Sequence, residues 1–284
     1  MIDHHVFLRG GIGNQFFQWV YAKNLQQKGI NVKLNSTFLK VRENNQTSGN
    51  QELHKLFTSL DLTISYWKYT NSLEFAFKRL GLLTGILEDD RHYEFKSDSA
   101  YFHYGYYQSN KFLSDSIVCR AKELLHADLK SCDIDGNFCV LHVRAGDYLT
   151  NTYNFRHMGL LSTEYHVGAG QYLLEKYPKN KLIIVSDNEQ ISVLVLNKLR
   201  ERYLDRVSLL STVLRRGEDQ VDAIKTMLSA EAMSISNSSF SAMCAILGKA
   251  GDVLYPRPWF RSPDLCYVSP VLNHWTMREA NFEI

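Results

Sequence analysis

The chain has 284 residues, about the length of two domains. Apolar residues make up 45% and charged residues 22%, values typical of a globular protein that exclude the disordered, collagenous and fibrous classes. The net charge is only +2, so the strong basic excess of a dedicated nucleic-acid-binding protein is absent.

The first half of the chain predicts a strand, a glycine-rich turn and a helix, followed by weaker signals. The predicted elements are, in chain order, a strand at 5–8, a helix at 14–28, a strand at 30–34, helices at 73–87 and 111–129, and a turn at 132–137. Short apolar runs that alternate with longer helical patterns are typical of α/β domains with parallel sheets.

The second half predicts a more regular alternation. The predicted elements are strands at 138–143 and 182–185, a helix at 188–203, a strand at 207–210, a helix at 218–232, a strand at 233–235, a helix after 239 and a strand at 253–255. The run at 138–143 is apolar apart from His142 near its end, which indicates a strand buried on both faces. The predicted fold class is therefore α/β, with two open Rossmann-like domains at 1–133 and 134–284 that face each other across a cleft.

A glycine-rich turn, Arg9-Gly-Gly-Ile-Gly-Asn-Gln15, lies between the first predicted strand and its helix. Glycine lets the backbone approach a ligand closely, and a helix N-terminus presents N–H groups to an anion. The turn has neither GxGxxG spacing nor the GK[ST] ending of a P-loop, which disfavours a nicotinamide enzyme and an NTPase. A simple tight turn between strand and helix is the alternative interpretation.

A polar group, His142, Arg144 and Asp147, lies at the end of the predicted strand at 138–143. Alternation along a strand places His142 and Arg144 on one face. A guanidinium at this point could fork onto a phosphate, which lysine cannot reproduce. A structural ion pair between Arg144 and Asp147 is the alternative.

Two further strand ends carry polar residues. The carboxylate of Asp187 could accept hydrogen bonds from a base or a ribose, or cap the helix that follows. The hydroxyl-rich junction at 236–241 could hold a phosphate through N–H groups and serine hydroxyls, or serve as an N-cap. Because four strand ends in one chain carry polar clusters, ligand binding is favoured over four unrelated structural roles.

An aromatic segment at 101–108 contains five aromatic rings and a histidine. Aromatic faces bind the apolar faces of sugars, so Tyr106, Tyr107 and Gln108 are candidate acceptor contacts. An ordinary strand with core-facing rings is the alternative. Asp133 and Asp135 have the spacing of a metal-binding DxD pair, but they run into Gly136 and indicate a turn, so no metal site is predicted.

The five cysteines are odd in number and contain no CxxC pair, which favours a reducing cytosol over a disulfide framework. The N-terminus lacks the pattern of a signal peptide, and no window has the 18 or more apolar residues of a spanning helix. The expected location is therefore cytoplasmic, either free or peripheral on the inner face of the plasma membrane.

Taken together, these motifs resemble the α-1,2-fucosyltransferases of glycosyltransferase family 11. GGIGNQFFQWVYA is similar to the family's GGLGNQMFQYA opening, and GYYQSNKFL to its GY-aromatic-Q-S segment. HVRAGDY resembles its HxRxGDY signature, VSDN its SDD segment, and ISNSSFSAMCAILG its NSSFSWWAAWL segment. The motifs occur in the family's order from residue 10 to about residue 248 and so cover most of the chain.

The resemblance implies a GT-B fold in which the N-terminal domain takes the acceptor and the C-terminal domain binds GDP-β-L-fucose. It implies inverting transfer of L-fucose to the 2-hydroxyl of a terminal galactose, in an oligosaccharide or lipid-linked glycan of O-antigen type, with no metal or other cofactor. Arg144, Asp147 and His142 are the expected catalytic residues, with Asp147 as candidate general base, although Asp147 could equally orient Arg144. The implied donor contacts are Gly11, Gly13, Asn14, Gln15, His142, Arg144, Asp187, Asn237, Ser238, Ser239, Phe240 and Ser241.

The chain departs from the family pattern at three places. Ala145 stands where a second arginine is frequent, Asn188 replaces the second aspartate of SDD, and Ala242-Met243 replaces a tryptophan pair. The first change weakens an accessory phosphate contact, but the central arginine and the HxRxGD frame are retained.

Three alternatives stay open. The chain could be a fucosyltransferase of another linkage, one using a different GDP-sugar, or a binding protein for a GDP-sugar or carbohydrate without turnover. A separate hypothesis concerns the segment 67–87. Its apolar residues recur at helical spacing, with Lys78 and Arg79 alongside, which is typical of a helix that lies on a membrane surface. A helix whose apolar face packs on the protein core is the alternative interpretation.

Overall fold

The computed structural model describes residues 3–40, 52–67, 87–88, 101–210 and 220–283. The chain divides into two compact domains, Met1–His126 and Ala127–Ile284. The boundary predicted from the sequence, between residues 133 and 134, lies slightly after this division, in the turn that precedes the first strand of the second domain.

The first domain contains a parallel sheet in the order β3-β2-β1-β5-β4. Its strands are β1 (His4–Phe7), β2 (Val32–Asn35), β3 (Thr63–Ser65), β4 (Leu87–Glu88) and β5 (Phe102–His103). Its helices are α1 (Ile12–Gln27), α2 (Thr37–Lys40) and α3 (Asp115–Leu124), with 3-10 turns at Leu53–Lys55 and Asn110–Phe112. The helix α1 is buried around most of its circumference, and Trp19 inside it donates from Nε1 to the carbonyl of Leu60 at 2.8 Å.

The second domain contains a parallel sheet in the order β11-β10-β9-β6-β7-β8. Its strands are β6 (Phe138–Val143), β7 (Lys181–Ser186), β8 (Val207–Leu209), β9 (Ala232–Ser234), β10 (Asp252–Arg257) and β11 (Thr276–Glu279). Its helices are α4 (Gly146–Thr150), α5 (Thr152–His157), α6 (Thr163–Lys176), α7 (Glu189–Tyr203), α8 (Gln220–Ser229) and α9 (Ser239–Leu247). Short 3-10 turns lie at Ala127–Lys130, Leu204–Arg206 and Pro263–Leu265.

The core of the second domain lies where α6 and α7 pack on the sheet. Every residue of β6 is buried, as the apolar run predicts, because the strand is central and covered on both faces. Leu141, Leu173 and Leu199 are among the fully buried residues of this core. The prediction of two α/β domains built on parallel sheets is confirmed; the cleft that the resemblance implies between them stays a prediction.

Several predicted elements differ from the structure in extent. The helix expected at 111–129 is the shorter α3, because Ser114 caps its start and Leu125 leaves the helical conformation. The helix expected at 218–232 ends at Ser229, since Ala232 already belongs to β9. The helix α6 and the strand β11 have no counterpart among the predicted elements.

The segment proposed for membrane contact lies mostly outside the described residues. Its last residue, Leu87, is in the strand β4 rather than in a helix, so the predicted helix is wrong at that end. Trp67, at its start, packs its ring against Phe7 at 5.6 Å. In the described parts of the chain, no helix combines the length and apolar character needed to cross a membrane.

Candidate active site

The site in the second domain begins where β6 and β9 end side by side. The amide of Arg144 donates to Oγ of Ser236 at 3.1 Å, and that hydroxyl donates to the carbonyl of His142 at 2.6 Å. Ser236 is fully buried and joins the ends of the two strands. The arginine is therefore held by its backbone at the carboxyl edge of the sheet, where ligands of open α/β domains bind.

The guanidinium of Arg144 is shared between two carboxylates. Its Nη1 donates to Oδ2 of Asp187 and its Nη2 to Oδ1 of Asp147. Its Cζ also lies 5.5 Å from the centre of the Tyr148 ring. Burial acts to lower the pKa of Arg144, but the two carboxylates outweigh burial and raise it, so the group is a permanent cation. The ion pair with Asp147 that the sequence allowed is present.

Asp187 serves the loop that carries Arg144. Its Oδ1 accepts hydrogen bonds from the amides of Ala145 at 2.8 Å and Gly146 at 3.1 Å. The space that a Cβ on Gly146 would occupy is filled by this carboxylate, whose Cγ lies 3.0 Å from that position. Both oxygens of Asp187, for which the sequence allowed either a contact to a ribose or base or a helix cap, are thus engaged by the protein's own groups. The helix that follows β7 is instead capped by Asn188, which accepts from the amide of Ile191 at 3.0 Å.

Asp147 is held more loosely. Besides Arg144, its carboxylate accepts one hydrogen bond, at 2.9 Å from Nδ2 of Asn154 in α5. Its side chain is 35% exposed, against 9% for Asp187. The structure therefore shows the orienting contact that was one of two roles considered for Asp147, and the base role stays a prediction.

His142 is buried and uncharged. Burial lowers the pKa of its imidazole to about 3, so the ring is neutral near pH 7. Its Nδ1 has no hydrogen-bond partner among the described residues, and its ring lies 5.8 Å from that of Phe240. A neutral imidazole can act only through hydrogen bonds and packing, so the positive charge at this edge of the sheet comes from Arg144.

The junction between β9 and α9 contains both structural and exposed residues. The Nδ2 of Asn237 donates to the carbonyls of Met158 at 3.0 Å and Gly159 at 2.9 Å, and Oγ of Ser241 donates to the carbonyl of Ser238 at 3.1 Å. These two predicted donor contacts therefore hold the junction together. Ser238 is buried, whereas Ser239 and Phe240 are partly exposed.

The N-terminus of α9 adjoins the Arg144 loop. Tyr148, beneath the guanidinium, donates from its hydroxyl to the carbonyl of Asn237 at 2.9 Å. Ser238 occupies the N-cap position of α9, and its side chain makes no capping hydrogen bond. A helix N-terminus carries partial positive charge and amide donors. Arg144 and the N-terminus of α9 therefore place a guanidinium and helix amides beside each other at one edge of the sheet.

The glycine-rich turn lies at the carboxyl edge of the other sheet, in the first domain. Gly10 has φ +69°, a left-handed conformation that glycine adopts readily. Gln15 donates to the carbonyl of Gly10 at 2.9 Å and accepts at its Oε1 from the amide of Glu52 at 2.9 Å. Gly11 is the N-cap of α1 and Gly13 lies in its first turn. The polar side chain of Gln15 thus fixes the shape of the turn.

The candidate acceptor residues differ in exposure. Tyr107 is 2% exposed and stacks on Tyr21 with ring centres 3.8 Å apart, as the core-facing alternative predicted. Gln108 is buried and donates to Oδ1 of Asn14 at 2.7 Å. Tyr106 is partly exposed, and a sugar contact through it stays a prediction.

Three residues with contacts at or near the two sheet edges were not among the individual site residues that the sequence predicted. Ser236 begins the hydroxyl-rich junction but was not singled out, although its place directly after β9 was a signal. Arg9 lies with its Cζ 4.2 Å from the centre of the Tyr104 ring, and its position just after β1 was a similar signal. Asn154 had no sequence signal, because its contact with Asp147 depends on the turn between α4 and α5.

Comparison with known proteins gives relatives of low identity but nearly full coverage. No family model matches the chain. It is 26% identical over 299 residues to the alpha-1,2-colitosyltransferase of Escherichia coli, covering 96% of this chain and 97% of that protein. It is 24% identical over 292 residues to the O-antigen biosynthesis glycosyltransferase WbnK of Escherichia coli, covering 89% of this chain and 93% of that protein.

Among solved structures, the chain is similar to the alpha-1,6-fucosyltransferase NodZ soaked with GDP-fucose. The TM-score is 0.46 at 12% sequence identity, covering 94% of this chain and 91% of that one. Because this score is below 0.5, the fold assignment rests on the two parallel sheets themselves. Over nearly its whole length the chain is thus similar to two Escherichia coli glycosyltransferases, one of them named for O-antigen biosynthesis.

Proposed function

We propose that this chain is a glycosyltransferase of O-antigen or related surface-polysaccharide assembly. Two relatives similar over about nine-tenths of the chain or more carry glycosyltransferase names, which supports this class. At the finer level we propose an inverting α-1,2-fucosyltransferase of family 11, with GDP-β-L-fucose as donor and the 2-hydroxyl of a terminal galactose as acceptor. The five sequence motifs support the donor and the linkage.

The observation that carries the proposal is the pairing of Arg144 with the N-terminus of α9 at one sheet edge. When a glycosyl bond to a nucleoside diphosphate breaks, negative charge grows on the β-phosphate. A prepositioned guanidinium and helix amides stabilise that charge, and one such donor commonly contributes about 10²-fold to 10³-fold in rate. Arg144 is suited to this task because its amide and its guanidinium are both fixed before the substrate arrives.

The remaining chemistry follows from glycosyl transfer in general. The fucosyl ring becomes oxocarbenium-like as the bond to phosphate lengthens. The acceptor hydroxyl attacks the opposite face of the anomeric carbon while its proton passes to a general base, for which Asp147 is the candidate. Because Arg144 and α9 would carry the leaving-group charge, we propose that transfer needs no metal ion. Expected acceptors are a galactose-terminated oligosaccharide or a lipid-linked glycan.

The direct test is incubation of the purified chain with GDP-fucose and a panel of galactosides, with NMR of any product. A site built to hydrogen-bond particular hydroxyls rejects analogues that lack them, so a 2-deoxygalactoside should not react. Fucosylation of the 2-deoxy compound, or a 3- or 4-linked product, would contradict the linkage and leave the donor standing. Release of GDP without any glycoside product would instead favour a binding protein with slow donor hydrolysis.

A second candidate is colitosyl transfer. One relative is named as an alpha-1,2-colitosyltransferase, and the alignment covers 97% of that protein. The same assay with GDP-activated colitose in place of GDP-fucose distinguishes the two donors by the ratio of their kcat/KM values. A ratio in favour of colitose would keep the 1,2-linkage and replace the proposed sugar.

A further inference from the structure

Two carboxylates on one guanidinium leave the Arg144 cluster with an excess negative charge. Asp147 and Asp187 each pair with one terminal nitrogen of Arg144. A nucleoside diphosphate would therefore approach a cation that is already over-neutralised by its own partners. Binding of that anion is more favourable if one of the two carboxylates yields its place, because the guanidinium then keeps a single protein carboxylate.

The two carboxylates are not equally able to move. Asp187 is 9% exposed, and its second oxygen accepts from the amides of Ala145 and Gly146, so its displacement would leave two loop amides without their partner. Asp147 is 35% exposed, and among the described residues its carboxylate is held by two side chains, those of Arg144 and Asn154. Asp187 is therefore the fixed partner of Arg144, and Asp147 is the exchangeable one.

We propose that a phosphate oxygen of the donor replaces Asp147 on Nη2 of Arg144. The inference rests on the proposed function and deepens it by assigning the two aspartates opposite effects on diphosphate binding. The released Asp147 keeps its contact with Asn154 and gains a free oxygen beside the reacting groups. It then takes the proton of the acceptor hydroxyl while that oxygen bonds to the anomeric carbon and the electron pair of the breaking bond leaves with GDP. Donor binding thereby prepares the base, and the donor binds before the acceptor.

The test is GDP affinity, measured by calorimetry on the full-length chain. Asp147→Asn removes a charge that competes with phosphate, so GDP should bind about threefold to tenfold more tightly, while kcat falls at least about 10²-fold. Asp187→Ala removes the acceptor of the Ala145 and Gly146 amides, so the loop that carries Arg144 loses its support and GDP should bind at least about tenfold more weakly. Guanosine, which has no phosphate, should bind the Asp147→Asn variant and the wild type equally.

Two further variants make the comparison specific. Asp61 pairs with Arg120 in the first domain with a Nε–Oδ2 distance of 2.6 Å, so Asp61→Asn removes an arginine-paired carboxylate from that domain and should leave GDP affinity unchanged. Asp147→Ser removes the same charge with a different side chain and should also tighten GDP binding. Unchanged or weaker GDP binding by both Asp147 variants, in a chain whose wild type binds GDP, overturns the exchange alone. Failure of the wild type to bind GDP overturns the proposed donor as well.

Discussion

Gly146 is the position at which a single methyl group tests the geometry of the site. A Cβ at this residue would overlap the carboxylate of Asp187, with Cγ only 3.0 Å away. Asp187 would have to move and give up its hydrogen bonds to the amides of Ala145 and Gly146, at 2.8 and 3.1 Å. Hydrogen bonds to a charged group contribute about 1.5–3 kcal/mol each, and water replaces part of that at a half-exposed loop. We therefore expect Gly146→Ala to lower the free energy of unfolding of the second domain by about 2–4 kcal/mol.

The matched control is Gly251→Ala, because nothing lies within 4 Å of the Cβ that it would add. This variant should stay within about 1 kcal/mol of the wild type, since only backbone entropy changes. Urea unfolding followed by tryptophan fluorescence measures both variants. Repeating Gly146→Ala in an Asp187→Ala background completes a double-mutant cycle and should reduce its cost by about 1–3 kcal/mol. Equal costs for the two glycine variants, or the same cost in both backgrounds, would refute the assigned contact.

Three further predictions concern the charge, the buried histidines and the metal. Arg144→Lys should lose at least about 10²-fold in kcat/KM with circular dichroism unchanged, because an ammonium cannot reach both Asp187 and a phosphate as the fork does; near-normal turnover would remove Arg144 from the mechanism. Burial lowers the pKa of His142 and of His166 to about 3, whereas a histidine in the unfolded chain has a pKa of about 6.5. Between these two values the unfolded state binds more protons than the folded state. As the pH falls from about 6.5 to about 3, the free energy of unfolding should therefore decrease by up to about 1.4 kcal/mol per pH unit for each histidine. His166→Leu should flatten that fall while the exposed-site control His54→Leu does not, and identical pH profiles would contradict the assignment. Turnover should survive excess EDTA. Loss of activity that Mn²⁺ restores would contradict metal independence and favour a metal site at Asp133 and Asp135.

Local patterns in the sequence determined the elements that are self-contained. The strand β6 was predicted with its observed ends, because a six-residue, almost wholly apolar run has the length of a buried strand and is too short for a typical helix. The start of α7 was predicted within one residue, although its cap is Asn188 and not Asp187, the cap that the sequence had suggested. The strand β11 was missed because its residues are largely exposed at the sheet edge, and only pairing with β10 makes it a strand.

Tertiary structure decided what the polar residues do. The sequence indicated that Arg144, Asp147, Asp187 and the junction at 236–241 lie at strand ends, since parallel strands bring their carboxyl ends to one edge. It could not indicate that Asp187, 43 positions after Arg144, pairs with that arginine and accepts from the amides that follow it. Nor could it indicate that Asn154 donates to Asp147. Such contacts depend on the angles at which strands and helices meet, which no local pattern encodes. Tyr107 was left undecided between ligand and core for the same reason, until its ring was found stacked on Tyr21.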